Sequence, residues 1–175
     1  PVAAATPAPA LRRVALGAGR VAAGPLAKVV PGSPQLFTAQ FRHQEEGALL
    51  VPYPVGRWTQ NSDGLAAARG GPADFVAIRT AGGRVGAILS PSASGPSRAW
   101  VMADNGWLAG NERDEDVRAD DAGATFVEVT EPRLYWVARG TKPRVMRFSP
   151  AEPGLIIHGF VIVETGGDAS AGARP

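Results

Sequence analysis

Glycine and proline interrupt this chain so often that no long helix fits between them. The 175 residues include 22 Gly and 16 Pro, spread between short apolar runs. In a helix, Gly is less favourable than Ala by about 1 kcal/mol and Pro by about 3 kcal/mol. Both residues are typical of the turns that separate short strands. The pattern therefore predicts an all-β fold.

From residue 35 onward, apolar runs of strand length alternate with turn residues. The predicted strands are Gln35–Phe41, Ala48–Tyr53, Arg57–Gln60, Asp74–Thr80, Arg84–Leu89, Arg98–Ala103, Thr125–Thr130, Arg133–Ala138, Arg144–Phe148 and Leu155–Glu164. Only Gly64–Gly70 has the pattern of a short helix. So many short strands with so little helix predict an antiparallel two-sheet β-sandwich.

Two turns in this region predict hairpins. Gly82-Gly83 lies between two predicted strands, and primed two-residue turns need the positive φ that glycine tolerates. Glu131-Pro132 is a tight turn between the predicted strands Thr125–Thr130 and Arg133–Ala138. The last predicted strand is apolar on both faces, which is typical of a covered central strand, and Gly159 inside it predicts a bulge.

The composition divides the chain into three parts. We expect residues 1–34 to form an extended Pro/Ala/Gly-rich basic arm, residues 35–165 the β-sandwich domain, and residues 166–175 a flexible tail. The arm has apolar residues but no clean period, so we expect it to order against a partner rather than against its own domain.

Charge is unevenly distributed between the arm and the rest of the chain. Residues 1–44 contain five basic residues and no acid, whereas 112–131 is strongly acidic. A basic arm of this kind favours electrostatic docking on an acidic partner surface. The residues expected to bind the partner are Arg12, Arg13, Leu16, Arg20, Val21, Leu26, Lys28, Val29 and Val30.

The first ten residues, rich in Pro and Ala and without Met, have the look of a mature end left after removal of a targeting peptide, although a trimmed start would read the same. No run reaches the roughly 20 apolar residues that a membrane helix needs. We therefore expect an extracytoplasmic protein, periplasmic or secreted, without a transmembrane segment of its own.

Residues for catalysis or metal binding are few. There is no Cys, and the only histidines are His43 and His158, neither of which accompanies a nucleophile motif. Gly17-Ala18-Gly19-Arg20-Val21-Ala22 fits a dinucleotide-loop spacing, but Gly24-Pro25 would stop the helix that such a loop requires. The sequence therefore predicts no catalytic residue, cofactor or metal, and leaves open whether calcium binds the acidic loop 111–121.

Three aromatic residues are candidates for an exposed ligand or partner surface. Trp107 follows Asn105-Gly106 in a turn, and the adjacent Tyr135 and Trp136 must point to opposite faces of a strand. Trp58 and Trp100 are expected in the core.

The order of motifs from Trp58 to Val163 resembles a known domain. The matching segments are Asp104-Asn105-Gly106-Trp107, then Thr130-Glu131-Pro132-Arg133-Leu134-Tyr135, then Pro153-Gly154-Leu155. They resemble the C-terminal jelly-roll domain of DipZ-type envelope proteins, in which it follows a thioredoxin domain. The resemblance implies a jelly roll similar to carbohydrate-binding modules, located in the bacterial envelope and without catalytic residues. Here the basic arm stands where the thioredoxin half and its Cys-x-x-Cys would be.

Two functions of different class follow from these observations. The first is a non-catalytic accessory subunit that docks on a larger cell-envelope complex through the sandwich and the arm. The second is a carbohydrate-binding module that uses exposed rings, which rests on fold analogy. Nucleic acid is not an expected partner, because basic residues are not clustered with aromatic ones.

Overall fold

Strands account for all the regular structure in a computed structural model that describes residues 9–18, 31–38 and 49–164. Within these ranges there are thirteen strands and no residue lies in a helix. The strands are β1 (Leu11–Ala15), β2 (Pro34–Phe37), β3 (Pro52–Gln60), β4 (Leu65–Ala67), β5 (Phe75–Thr80), β6 (Gly83–Ser90), β7 (Ser97–Ala103), β8 (Gly106–Trp107), β9 (Val117–Ala119), β10 (Thr125–Val129), β11 (Arg133–Gly140), β12 (Arg144–Pro150) and β13 (Ile156–Val163).

The thirteen strands form one large antiparallel sheet. Its order is β11-β6-β13-β4-β3-β5-β12-β7-β10-β9, with β1 beside β13, β2 beside β3 and β8 beside β7. The prediction of an all-β antiparallel fold is thereby confirmed.

Strand β3 belongs to two groups of ladders, that is, of paired strands. One group contains β1, β2, β4, β6, β11 and β13, and the other contains β5, β7, β8, β9, β10 and β12. Residues 52–55 of β3 pair with β5, whereas its later residues pair with β2 and β4. Gly56, with a φ of 92°, lies where the pairing changes. The sequence predicted two separate strands here, Ala48–Tyr53 and Arg57–Gln60. One strand forms instead, because glycine lets the chain turn without leaving the sheet.

The core contains side chains from both groups of ladders. Phe148 of β12 and Phe160 of β13 are fully buried, and their ring centroids lie 4.9 Å apart. Burying such a side chain contributes about 1.5–3 kcal/mol. The largest fully buried side chains are Trp58, Tyr135, Phe148, Phe160, Leu16, Leu65, Ile78, Leu89, Leu108, Met146, Leu155 and Ile157. Trp58 lies in the core as predicted.

Both predicted hairpins are wrong. β5 pairs with β3 and β12, while β6 pairs with β11 and β13. Gly82 and Gly83 do have positive φ, but they lie where the chain passes from β5, in one group of ladders, to β6, in the other. A Cβ on Gly83 would lie 2.2 Å from the carbonyl oxygen of Val163, so close approach to another strand adds to the need for glycine. At Glu131-Pro132 the chain likewise crosses from β10 to β11 without pairing them.

The short helix predicted at Gly64–Gly70 is also wrong, because Leu65–Ala67 forms strand β4 between β3 and β13. The bulge predicted at Gly159 is confirmed: the register of β13 against β6 shifts between Ile157 and Gly159.

Candidate functional site

The arm is part of the sheet where the structure describes it. β1 pairs with β13 along its whole length, from Leu11 opposite Val163 to Ala15 opposite Gly159. The side chain of Leu16 is fully buried. The expectation that the arm makes few contacts with its own domain is therefore wrong for this part, because apolar residues of the arm complete the edge of the core.

The described residues on either side of segment 19–30 both hydrogen-bond to the end of β3 and the residue after it. The Ala18 N–H donates to the Asn61 carbonyl at 2.8 Å, and the Gly32 N–H donates to the Gln60 carbonyl at 2.9 Å. The Gln60 side-chain amide also donates to the Leu16 carbonyl at 3.0 Å. The predicted partner residues Arg20, Val21, Leu26, Lys28, Val29 and Val30 lie outside the described residues.

Strand β1 presents charge and apolar surface at the same time. The Arg12 side chain is 58% exposed, and its Nε lies 3.7 Å from Glu164 Oε1. Arg13 is exposed and Leu11 is 53% exposed. Such a distant, exposed ion pair contributes little to stability. These cations remain accessible to an acidic partner surface.

Trp107 is the centre of a second exposed feature. It is 44% exposed, as predicted for a ring in this turn. Its ring centroid lies 6.0 Å from that of Trp100. Trp100 is half-buried, so the prediction that it lies in the core is wrong. Trp100 in turn makes an edge contact with Phe126, at 5.6 Å between centroids.

Arg98 completes this ring cluster, defined as Arg98, Trp100, Trp107 and Phe126. Its guanidinium carbon lies 4.0 Å from the Phe126 ring centroid and 5.4 Å from that of Trp100. The sequence did not reveal the cluster, because it depends on the register of β10 against β7, which sets Phe126 opposite Trp100. The only part of the cluster that the sequence indicates is the pair Arg98 and Trp100, because residues two apart in a strand lie on the same face.

Tyr135 and Trp136 point to opposite faces, as predicted, but neither is an open ligand platform. Tyr135 is fully buried, and its hydroxyl donates to the Glu131 carbonyl at 2.8 Å. Trp136 is half-buried beneath the Arg84 guanidinium, whose carbon lies 4.0 Å from the ring centroid. Tyr135 therefore cannot contact a ligand as the sequence predicted, because its ring is buried in the core.

The carboxylates of the acidic loop bind arginines and backbone amides. Asp114 accepts two hydrogen bonds from Arg84, at 2.6 and 3.2 Å. Glu112 accepts one from Arg144 at 3.0 Å. Burial would raise the pKa of Asp114, but the Arg84 guanidinium and the Glu115 N–H hold that pKa below its ordinary value.

Backbone bonds join the same loop to the edge of β11. The Asp116 N–H donates to the Trp136 carbonyl at 3.2 Å, and the Arg139 N–H donates to the Glu112 carbonyl at 3.0 Å. The Asp116 carboxylate also accepts from the Trp136 N–H at 2.7 Å. The loop therefore connects β11 with β9, the two ends of the strand order, and the Asp116 carboxylate takes part in this connection.

A cleft of about 910 Å³ opens beside the loop, between Arg84, Arg113 and Arg139. Asp114 and Glu115 line it as well, and Arg84 pairs with both. In the described ranges, no three His, Asp or Glu side chains converge to hold a metal ion. The carboxylates therefore give calcium binding in this loop no support.

His158 makes two hydrogen bonds within the fold. Its Nε2 lies 2.6 Å from the Ser90 hydroxyl and its Nδ1 lies 2.9 Å from the Asp63 carbonyl oxygen. Both ring nitrogens are thus hydrogen-bonded, one to β6 and the other to the turn between β3 and β4. His43 lies outside the described residues.

Comparison with models of known protein families found no match, and comparison with curated proteins found none. None of the described segments forms a helix that is long and apolar enough to cross a membrane. The chemistry of the described residues is thus the basis for inferring function.

Proposed function

We propose that this chain is a non-catalytic accessory subunit that docks on a larger protein complex of the cell envelope. We further infer that its antiparallel strands form a two-sheet jelly roll, with β3 passing from one sheet to the other at Gly56. The extracytoplasmic location rests on the resemblance to DipZ-type domains.

The observation that carries the docking proposal is the surface of β1. It sets exposed Arg12, exposed Arg13 and half-exposed Leu11 on a strand held by β13. A rigid strand loses little entropy on binding, and an apolar residue beside cations suits a partner surface that is acidic around an apolar contact. The docking surface is therefore a fixed strand rather than a free arm.

Affinity capture from solubilised envelope membranes tests the proposal, followed by binding measurements with the purified partner that it identifies. The variant combines Arg12→Glu with Arg13→Glu. A matched control combines Arg57→Glu with Lys142→Glu, which changes the same charge at exposed positions away from β1. We expect the β1 variant to weaken binding by about tenfold or more and the control to leave it unchanged.

Salt supplies a second measurement on the same complex. Raising the ionic strength should slow association of the unmodified chain and have less effect on the β1 variant. Equal affinity of the β1 variant and the unmodified chain would contradict docking through this strand.

A carbohydrate-binding module is the second candidate, favoured by the contact between Trp107 and Trp100. Exposed rings stack on the apolar faces of sugars, but here the two ring planes meet at 54° and do not form a flat platform. Titration with envelope polysaccharides tests this function, with Trp107→Ala as the variant. Saturable binding that Trp107→Ala abolishes would favour this function over docking.

A further inference from the structure

We propose that β1 accepts an extended acidic segment of a partner protein as an additional strand along its outer edge. This inference rests on the docking function proposed above and specifies how the partner binds. It assigns the recognition to backbone hydrogen bonds, with two arginines selecting the sequence of the incoming segment.

The register against β13 determines which backbone groups of β1 face outward. The Leu16 N–H donates to the His158 carbonyl, and the Glu164 N–H donates to the Ala10 carbonyl. In an antiparallel ladder such hydrogen-bonded pairs alternate with pairs whose backbone groups turn away. Residues 12 and 14 therefore bond to β13, while Leu11, Arg13 and Ala15 direct their N–H and C=O groups to the other side.

That outer side carries no strand among the described residues. β1 pairs with β13 alone, and within the described ranges no backbone hydrogen bond reaches the outward groups of Leu11, Arg13 or Ala15. An unpaired edge of this kind is a template for strand addition. The arginines on it also act as a barrier to indiscriminate pairing, which only a complementary segment would overcome.

The side chains of β1 define the chemistry of the incoming strand. Leu11, Arg13 and Ala15 share one face, and Arg12 and Val14 share the other. An antiparallel segment with two consecutive acidic residues would set one carboxylate opposite Arg13 and the next opposite Arg12. Apolar residues on either side would lie beside Leu11 and Val14.

A second copy of this chain is a poor occupant of the same edge. Antiparallel self-pairing that uses all five residues places Arg13 opposite the Arg13 of the other copy. Like charges directly opposite each other destabilise a strand pair. Charge therefore favours an acidic partner segment over self-association.

A synthetic peptide tests the inference directly. The probe is a fluorescein-labelled Thr-Val-Glu-Glu-Val-Thr-Val, and binding is followed by fluorescence anisotropy up to millimolar peptide. One matched peptide replaces both Glu by Lys. Another keeps the two Glu but carries N-methyl groups on alternate residues, on the edge that would face β1, and so loses the backbone donors without a change of charge.

We expect the Glu peptide to bind, the Lys peptide to show no binding, and the N-methylated peptide to bind about tenfold more weakly. Ala15→Pro removes one outward N–H of β1 and should weaken binding similarly, since proline is tolerated at an outward edge position. Arg13→Glu should abolish binding, whereas the control Arg57→Glu should retain it.

Two results with the peptides would overturn the inference. The first is no binding of the Glu peptide, and the second is equal binding of the N-methylated and unmodified peptides. If capture of the envelope partner still depends on Arg12 and Arg13 in either case, docking stands and strand addition fails. If no partner depends on these arginines, the proposed function itself fails. Concentration-dependent dimerisation through β1 in sedimentation experiments would replace the acidic segment with a second copy.

Discussion

The carboxylate of Asp74 occupies the space that a side chain on Gly56 would need. A Cβ built on Gly56 would lie 1.8 Å from Asp74 Oδ1. Asp74 is fully buried, and the same Oδ1 accepts a hydrogen bond from Arg69 Nη2 at 2.8 Å. The close approach of the Asp74 carboxylate therefore requires glycine at position 56, where β3 changes its pairing from β5 to β2 and β4.

Gly56→Ala should lower the free energy of unfolding by about 2–4 kcal/mol. The new Cβ would meet the Asp74 carboxylate, and a φ of 92° is unfavourable for alanine. Urea denaturation measures the change. Gly110→Ala is the control, since a Cβ there has no neighbour within 4 Å. Equal stability of the two variants would show that β3 does not need glycine at its change of partners.

The Tyr135 hydroxyl links the start of β11 to the turn before it. It donates to the Glu131 carbonyl and accepts from the N–H groups of Thr130 and Glu131, at 3.2 and 3.3 Å. Tyr135→Phe keeps the ring but leaves these groups without the hydroxyl. We expect a loss of about 1–2 kcal/mol in the free energy of unfolding.

Thermal denaturation of two variants separates the hydroxyl from the ring. Tyr135→Ala also creates a cavity, so we expect it to cost about 3–5 kcal/mol, clearly more than Tyr135→Phe. No loss in Tyr135→Phe would mean that water replaces the hydroxyl and that the turn is held by other contacts.

The properties that depend on neighbouring residues alone could be predicted from the sequence. Gly and Pro spacing gave the all-β fold, and alternation gave the opposite faces of Tyr135 and Trp136. The turn at Asn105-Gly106 gave the exposure of Trp107. Each of these follows from backbone geometry within a few residues, so no tertiary contact is needed to predict it.

The properties that depend on strand partners could not be predicted. A Gly82-Gly83 turn is compatible with a hairpin and with a crossing, and only the packing of β6 beside β13 decides between them. The ring cluster depends on the register that sets Phe126 opposite Trp100. The place of the arm could not be predicted for the same reason: its apolar residues have no regular period, yet Val14 lies opposite Phe160 of β13.

The ion pair between Asp114 and Arg84 should make stability depend on pH. The folded state holds the pKa of Asp114 below its ordinary value, so this pair stabilises the fold above the unfolded pKa. The stabilisation is lost as the pH falls through the lower, folded pKa. Asp114→Asn should therefore lower the free energy of unfolding by about 1–2 kcal/mol at pH 7 and by less near pH 3.

Urea denaturation at several pH values measures this difference between Asp114→Asn and the unmodified chain. Glu128→Gln is the control, because the ion pair of Glu128 with Arg118 is exposed and contributes little. A difference that is independent of pH would mean that Asp114 acts through hydrogen bonds alone, not through its charge.

Leu16 distinguishes an arm that belongs to the fold from one that merely precedes it. Its side chain is fully buried in the core, and its N–H donates to the His158 carbonyl at 2.9 Å. Leu16→Ala should therefore lower the free energy of unfolding by about 2–5 kcal/mol, whereas the control Leu36→Ala, at a residue that is 58% exposed, should change it by less than about 0.5 kcal/mol. Deletion of residues 1–18 removes β1 as well and should lower the melting temperature further, because the edge of β13 and the side chain of Phe160 lose their cover. A deletion variant with an unchanged melting temperature would instead mean that β1 does not stabilise the domain, and would restore the free arm that the sequence predicted.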